Sequence, residues 1–277
     1  MRQQNDDEAF RHLVELGYVD PQDVAARDAA VRSQLESELH EATKLHERGR
    51  IDEAVALLES LVIDDPEWIR PHQLLVEIHY RAGRLAEAQT HLDWLTHHGV
   101  EHPRLSLIAG GIALARRELC TALDALEYAC HVEPDLPNAH MLLGTVLLRL
   151  GQFERAERAL QQALQKNPAD ARALDGLAAI GLQRGDYEDA ADLALDAIEH
   201  DIQLFRAHYH LGVALAHLGR PKEAVAALET AARIAPVSAA PFYWLARIAE
   251  KHLGDPSRSA EYRQRVREII RHRRSRK

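Results

Sequence analysis

Small and large apolar residues recur along this chain at a fixed interval of 34 residues, without insertion, from Leu35 to Ser238. Within each interval the apolar side chains return every three or four positions, which is the spacing of one face of an α-helix. The twentieth position is alanine in every copy: Ala54, Ala88, Ala122, Ala156, Ala190 and Ala224. The pattern predicts six copies of one helical unit, starting at residues 35, 69, 103, 137, 171 and 205.

Two further regularities predict how each unit is built. The eighth position is small or valine in all six copies, and the twenty-fourth is leucine in five of them, which favours two closely packed helices. Glycine occupies the fifteenth position in five copies and proline the thirty-second in four. Because glycine readily ends a helix and proline cannot continue one, each unit is predicted to be a helix, a turn and a second helix.

The copy from Pro137 to Asp170 carries the pattern most clearly, with Leu143, Gly144, Leu147, Gly151, Phe153, Ala156, Leu160, Ala163 and Pro168. This spacing resembles the tetratricopeptide repeat. The resemblance implies an all-α fold, a right-handed superhelical solenoid of helix-turn-helix repeats. Its first helices would line a concave groove, and its second helices would form the outer wall.

The resemblance divides the chain into three regions. Residues 1–34 are expected to form N-terminal capping helices, with a short helix closed by Gly17 and another beginning at Pro21 or Gln22. Residues 35–238 form six regular repeats. Residues 239–277 form a degenerate seventh repeat and a basic C-terminal capping helix, because no further repeat covers the last one.

The segment from Leu13 to Pro21, Leu-x-x-Leu-Gly-Tyr-Val-Asp-Pro, suggests an alternative context. It resembles the junction before the repeats in bacterial type I phosphodiesterase or sulfatase-like hydrolases of the alkaline-phosphatase superfamily. That resemblance implies that the chain is the repeat region of, or an accessory to, a hydrolase whose catalytic domain lies elsewhere. It carries no catalytic residue over to this sequence.

Composition and charge narrow the class of protein. The net charge is −9, no apolar run is long enough to span a bilayer, and the opening residues are polar and acidic, so a cytoplasmic protein is expected. Residues 258–277 carry nine basic and two acidic side chains, which favours a solvated terminal helix over a nucleic-acid site. Cys120 and Cys130 lie about 15 Å apart along a helix, too far to bridge, and are expected to be buried thiols.

The sequence gives little indication of a catalytic or metal-binding site. No nucleophile elbow, phosphate-binding loop, zinc-protease motif or Cys-x-x-Cys pair is present, so no enzyme, cofactor or metal site is predicted. His97, His98 and His102 are interpreted as a solvated turn, and His72 and His79 as packing between helices. The acidic pairs at Asp6-Asp7-Glu8 and Asp64-Asp65 are interpreted as solvating or helix-capping groups.

Function is therefore expected from the groove, which positions 2, 5, 9 and 12 face in the family. The second position holds Arg70, Arg104, Arg172 and Arg206, which either bind anionic groups of a partner or pair with acids of the preceding turn, such as Glu67 or Asp170. Apolar and small groove residues include Leu107, Met141, Thr145, Tyr209 and Val213.

These residues predict a non-enzymatic scaffold that binds a protein or peptide partner in the groove. Alternatively, the N-terminal segment or a second copy of the chain fills it, so self-association remains open. Position 5 lacks the lysine of the family's chaperone-tail adaptors, which argues against that partner.

Overall fold

The structure is a computed structural model that describes the backbone of residues 21–274 and the side chains of residues 29–272. Residues 21–274 form fourteen helices and no strand. The predicted helix ending at Gly17, the acidic group Asp6-Asp7-Glu8 and most of the hydrolase-like junction lie outside the described residues. The predicted all-α repeat fold is confirmed.

The helices alternate between first and second helices of the repeats. The first helices are α1 (Pro21–Glu47), α3 (Ile69–Arg81), α5 (Pro103–Arg116), α7 (Ala139–Arg149), α9 (Ala171–Arg184), α11 (Phe205–His217) and α13 (Ala239–Lys251). The second helices are α2 (Ile51–Asp64), α4 (Leu85–His97), α6 (Leu119–Val132), α8 (Phe153–Lys166), α10 (Tyr187–His200), α12 (Pro221–Ile234) and α14 (Pro256–Arg274). Helix α1 is continuous, so residues 21–34 and the first helix of the first repeat are one element.

Two compact units divide the chain between Glu101 and His102. Unit 1 contains α1–α4, and unit 2 contains α5–α14. In unit 1, Leu39, Leu58 and Leu75 are almost completely buried between successive helices. In unit 2 each repeat buries its apolar face against the next, and Leu126, Leu160 and Leu228 are fully buried. Each unit is thus held by contacts between neighbouring repeats.

The small residues of the eighth position pack against the leucines of the twenty-fourth position, as the sequence predicted. A Cβ atom on Gly144 would lie 2.6 Å from Cγ of Leu160, and one on Gly212 would lie 2.5 Å from Cγ of Leu228. The glycines of the eighth position therefore let the leucines of the twenty-fourth reach the backbone of the first helix. Ala156 and Ala224, at the twentieth position, are also fully buried.

The fifteenth position ends the first helix in a left-handed conformation. The glycines there have φ between 72° and 92°. In the third repeat Arg117 takes the same place, with φ 66° and ψ 23°. A side chain at these angles is disfavoured because Cβ approaches the following carbonyl oxygen.

Several histidines pack between helices, as the sequence predicted for His72 and His79. His72 and His79 are 4% and 3% exposed, and His91 of α4 packs beside both. His140 and His208 each place Nε2 3.0 Å from a backbone carbonyl oxygen six residues earlier. Among the described residues no group of three or more histidine, cysteine or acidic side chains is arranged to hold a metal ion.

The cysteine interpretation is wrong for one residue. Cys120 is exposed at the start of α6, whereas Cys130 is partly buried and burial raises its thiol pKa to about 11. Cys120 lies in the first turn of α6, where its side chain is open to solvent. Within residues 21–274, none of the helices has the length and apolarity needed to cross a lipid bilayer.

Candidate functional site

The first helices of unit 2 form a continuous surface, which we call the first-helix wall: α5, α7, α9, α11 and α13. Each packs on the next one in this series. The second helices of successive repeats lie farther apart than the first helices do. Since the closer row lies on the inner side of a stack of helix pairs, the first-helix wall is the concave face of unit 2, where repeat proteins hold their binding surfaces.

The four arginines of the second position have different environments. In unit 1, Arg70 pairs with Glu36 of α1 at 3.3 Å. In unit 2, Nε of Arg206 lies 3.3 Å from Oδ2 of Asp175 on α9. Arg104 and Arg172 are exposed. The four guanidinium groups therefore do not form a uniform row of free cations.

Glu67 and Asp170, which the sequence suggested as partners of these arginines, interact with other groups instead. Glu67 lies 3.5 Å from Nε2 of His98. Asp170 caps α9, because its Oδ1 accepts hydrogen bonds from the backbone N–H groups of Arg172 and Ala173. The acids that pair with Arg70 and Arg206 instead come from the first helix of the preceding repeat.

The apolar residues predicted for the groove are more buried than a contact surface requires. Met141 and Val213 are only 5% and 7% exposed, and Met141 belongs to the core between α7 and α8. Thr145 is partly buried and donates its hydroxyl to the carbonyl oxygen of Met141 at 2.9 Å. Leu107 and Tyr209 are also partly buried. These five residues form the floor of the first-helix wall.

A buried carboxylate lies at the centre of this floor. Asp175 is 4% exposed, and its Oδ1 is 2.6 Å from Nδ1 of His210 on α11. Its Oδ2 faces Arg206. A buried carboxylate is costly unless its oxygens are paired, and here both are. Asp175 thereby fixes the position of Arg206 on the wall.

The carboxyl ends of α5 and α7 border a pocket of about 640 Å³ in unit 2. Its lining residues are Gly111, Leu114, Ala115, Arg117, Leu119 and Arg149. Nη1 of Arg149 donates to the carbonyl oxygen of Leu114 at 3.3 Å. Burial, together with the positive charges of Arg206 and Arg117, holds the pKa of Arg149 below its usual value.

Aromatic side chains gather at the other end of the wall. The ring of Trp244 on α13 has the guanidinium of Arg247 at 4.9 Å and the ring of His217 at 5.4 Å. His217 in turn stacks on Tyr187 at 4.3 Å. Burial raises the pKa of Tyr209, which packs in the same apolar cluster as Trp244. This end of unit 2 offers flat rings with a polar edge.

The basic C-terminal helix is partly neutralised by acids of unit 2. Arg258 pairs with Glu229 of α12 at 3.2 Å, and Arg263 pairs with Glu250 of α13. Arg265 pairs with Glu268 within α14 at 3.1 Å. The first two pairs attach the helix to α12 and α13, and all three reduce the positive charge that it presents to solvent.

The sequence missed Asp175, His210, Arg117 and Arg149 as members of this surface. Arg117 had a detectable signal, because it replaces the glycine found at the fifteenth position of the other five regular repeats. Asp175 is an acid at a position that is otherwise apolar or uncharged. His210 and Arg149 gave no such signal, since their roles depend on the register between neighbouring repeats.

Comparison with known proteins identifies the repeat. Three family models, each described as tetratricopeptide repeat, match residues 45–109, 141–204 and 205–236. The chain belongs to the tetratricopeptide repeat family. Members of this family act as protein-interaction scaffolds, and this chain has the corresponding fold. No protein of curated function matches the sequence.

Solved structures of other tetratricopeptide repeat proteins share this fold. A repeat protein from Parabacteroides merdae has a TM-score of 0.61 and 17% identity over 86% of this chain and 93% of its own. YrrB, described as having an unusual peptide-binding site, has a TM-score of 0.51 and 21% identity, covering 68% and 96%. MamA from Desulfovibrio magneticus RS-1 has a TM-score of 0.51 and 22% identity, covering 61% and 96%.

Proposed function

We propose that this chain is a non-enzymatic scaffold that binds a peptide or helix of a partner protein on the first-helix wall of unit 2. The observation that carries the proposal is the wall itself, in which five first helices present one continuous surface. Such a surface suits an extended or helical segment, because successive repeats offer successive contacts.

The chemistry of the wall supports a peptide as the ligand. Its floor is apolar around Met141 and Val213, and exposed cations stand at its edge at Arg104 and Arg172. Tyr209 and Trp244 add aromatic area at one end. A peptide with apolar anchors and acidic residues complements this combination.

YrrB offers a parallel for this use of the fold, since its structure is described as containing a peptide-binding site. The parallel concerns the architecture, because the two sequences are only 21% identical. The residues that would bind in this chain are those of its own wall: Arg104, Leu107, Thr145, Arg172, Arg206 and Tyr209, above the buried Met141 and Val213. Arg70 lies in unit 1 and would contribute separately.

A selection from random peptides tests the proposal. The full chain is panned against a library of twelve-residue peptides displayed with free carboxyl termini, and enriched peptides are synthesised and titrated. We expect binding to weaken at least tenfold in Arg172→Glu, which reverses an exposed charge on the wall, and in Ala179→Trp, which fills its middle. Arg233→Glu, on the outer helix α12, is the matched control and should bind like the unmodified chain.

Folding of each variant is checked by its melting temperature, which Arg172→Glu should leave unchanged because the side chain is exposed. Peptides that bind all three variants with equal affinity would contradict the proposal, as would a library from which nothing is enriched.

A further inference from the structure

The pocket at the carboxyl ends of α5 and α7 differs from the rest of the first-helix wall in its charge. Two of its six lining residues are arginines, Arg117 and Arg149, and none is acidic. The others are small or apolar, with Gly111 and Leu114 buried in the floor. A positively charged rim above an apolar floor favours an anionic group attached to an apolar one.

The conformation of Arg117 points to a role beyond folding. The corresponding residue of the other five regular repeats is glycine, which adopts the left-handed conformation without steric cost. Arg117 adopts it with a full side chain, and no ion pair with a carboxylate holds that side chain within residues 29–272. Backbone strain of this kind concentrates at functional sites, where a side chain is needed in a particular place.

Arg149 reaches the same pocket from the end of α7. Its guanidinium donates to the carbonyl oxygen of Leu114 at the end of α5, and this bond orients it. The same oxygen accepts the backbone N–H of Arg117 at 3.2 Å. In the described part of the chain it has no acidic partner. Instead, Arg117 and Arg206 are the charged groups that act on it, and both are positive. The charges that face this pocket therefore lack a counter-ion from the protein.

We propose that Arg117 and Arg149 bind a carboxylate of the partner peptide, while Leu114 and Leu119 receive the neighbouring apolar side chain. This inference rests on the proposed function and names one subsite of it. A carboxylate fits better than a phosphate, because one donor of Arg149 is already used by Leu114 and the apolar lining supplies no further donors. Gly111 has no side chain, which lets the peptide backbone approach α5.

The subsite is tested with the peptides selected on the full chain. Each is synthesised in three forms: unmodified, with an amidated carboxyl terminus, and with every glutamate and aspartate replaced by its amide. Each form is titrated against the unmodified chain, Arg117→Gly, Arg149→Gln and the control Arg233→Gln, which removes an equal charge from the exposed surface of α12.

We expect Arg117→Gly and Arg149→Gln each to weaken binding at least tenfold, and Arg233→Gln to have no effect beyond twofold. Loss of binding by the amidated form assigns the subsite to a terminal carboxylate, and loss by the side-chain amides assigns it to an acidic side chain. Equal affinity for all three forms, or unchanged binding by both arginine variants, would overturn the subsite. If Arg172→Glu and Ala179→Trp still abolish binding in that case, the proposed function stands without it.

Discussion

Asp175 and His210 are joined across two neighbouring first helices, with Oδ1 of the carboxylate 2.6 Å from Nδ1 of the imidazole. Both side chains are buried, and the second carboxylate oxygen faces Arg206. The pair links α9 to α11 at the centre of the first-helix wall. It combines a structural role with the placement of a cation on the surface that we propose to bind a peptide.

Replacing Asp175 tests the structural part of this role. Asp175→Ala is expected to lower the free energy of unfolding by about 1–3 kcal/mol, because it leaves a buried imidazole without its partner. Asp175→Asn should cost less, since the amide oxygen can still accept a hydrogen bond from His210. Urea unfolding measures both. Asp192→Ala, an exposed position on α10, is the control, and an equal loss there would refute the assigned role.

The packing of Gly144 against Leu160 predicts a non-additive pair of mutations. Gly144→Ala should cost about 1–3 kcal/mol, because its methyl group would overlap the leucine. Leu160→Ala should cost about 2–5 kcal/mol through the cavity that it leaves. In the double variant the new methyl group occupies part of that cavity, so the loss should be smaller than the sum. Additive losses in a urea-unfolding double-mutant cycle would be inconsistent with the contact.

The left-handed conformation of Arg117 predicts that replacing it with glycine will raise stability and weaken peptide binding. Arg117→Gly should raise the free energy of unfolding by about 1 kcal/mol, because glycine removes the steric cost of the left-handed conformation. The same change should weaken the binding of selected peptides, as argued for the pocket. Gly151→Arg is the reverse substitution at the equivalent position of the next repeat and should destabilise by a similar amount. A destabilised Arg117→Gly would show that the arginine serves the fold.

The histidines of unit 1 predict a loss of stability in acid. Burial and the neighbouring His72 and His79 lower the pKa of His91 to about 4, and burial also lowers the pKa values of those two neighbours. In the unfolded chain a histidine titrates near pH 6.5, at about its ordinary value. The unfolded state therefore binds more protons as the pH falls, so stability is full above about pH 6.5 and declines towards pH 4.

Some charged groups around this histidine cluster raise the pKa values of His72 and His79, and others lower them. Glu67 and Glu87 favour protonation of His72 and His79, respectively, whereas His98 and Arg84 oppose it, and burial outweighs them all. His91→Gln is expected to flatten the dependence of the urea midpoint on pH between 7 and 4.5. His131→Gln, which changes an exposed histidine of α6, should leave that dependence unaltered. A midpoint that does not fall in acid would contradict the prediction.

The sequence predicted the fold well because the interval of 34 residues encodes it directly. Ala156, Gly144 and Leu160 each occupy a fixed place in the unit, and the contacts between them repeat from copy to copy. The break between the two units at Glu101 could not be predicted, since the interval continues through it without insertion.

The binding surface was harder to predict from the sequence. Position within the repeat placed Met141 and Val213 on the first helices, but their depth depends on how neighbouring helices close over them. The partners of Arg70 and Arg206 likewise come from the adjacent repeat, about one interval away in sequence. Such pairings depend on how neighbouring repeats stack, and the pattern within one repeat does not specify that stacking.

The most direct test of the central claim is photo-crosslinking of a selected peptide to the full chain. Benzoylphenylalanine is placed either at Arg104, an exposed position at the edge of the first-helix wall, or at Ala226, an exposed alanine of the outer helix α12. The account predicts a crosslinked product from position 104, competed by excess unlabelled peptide, and none from position 226. Crosslinking from position 226 alone would contradict it and place the ligand on the outer helices.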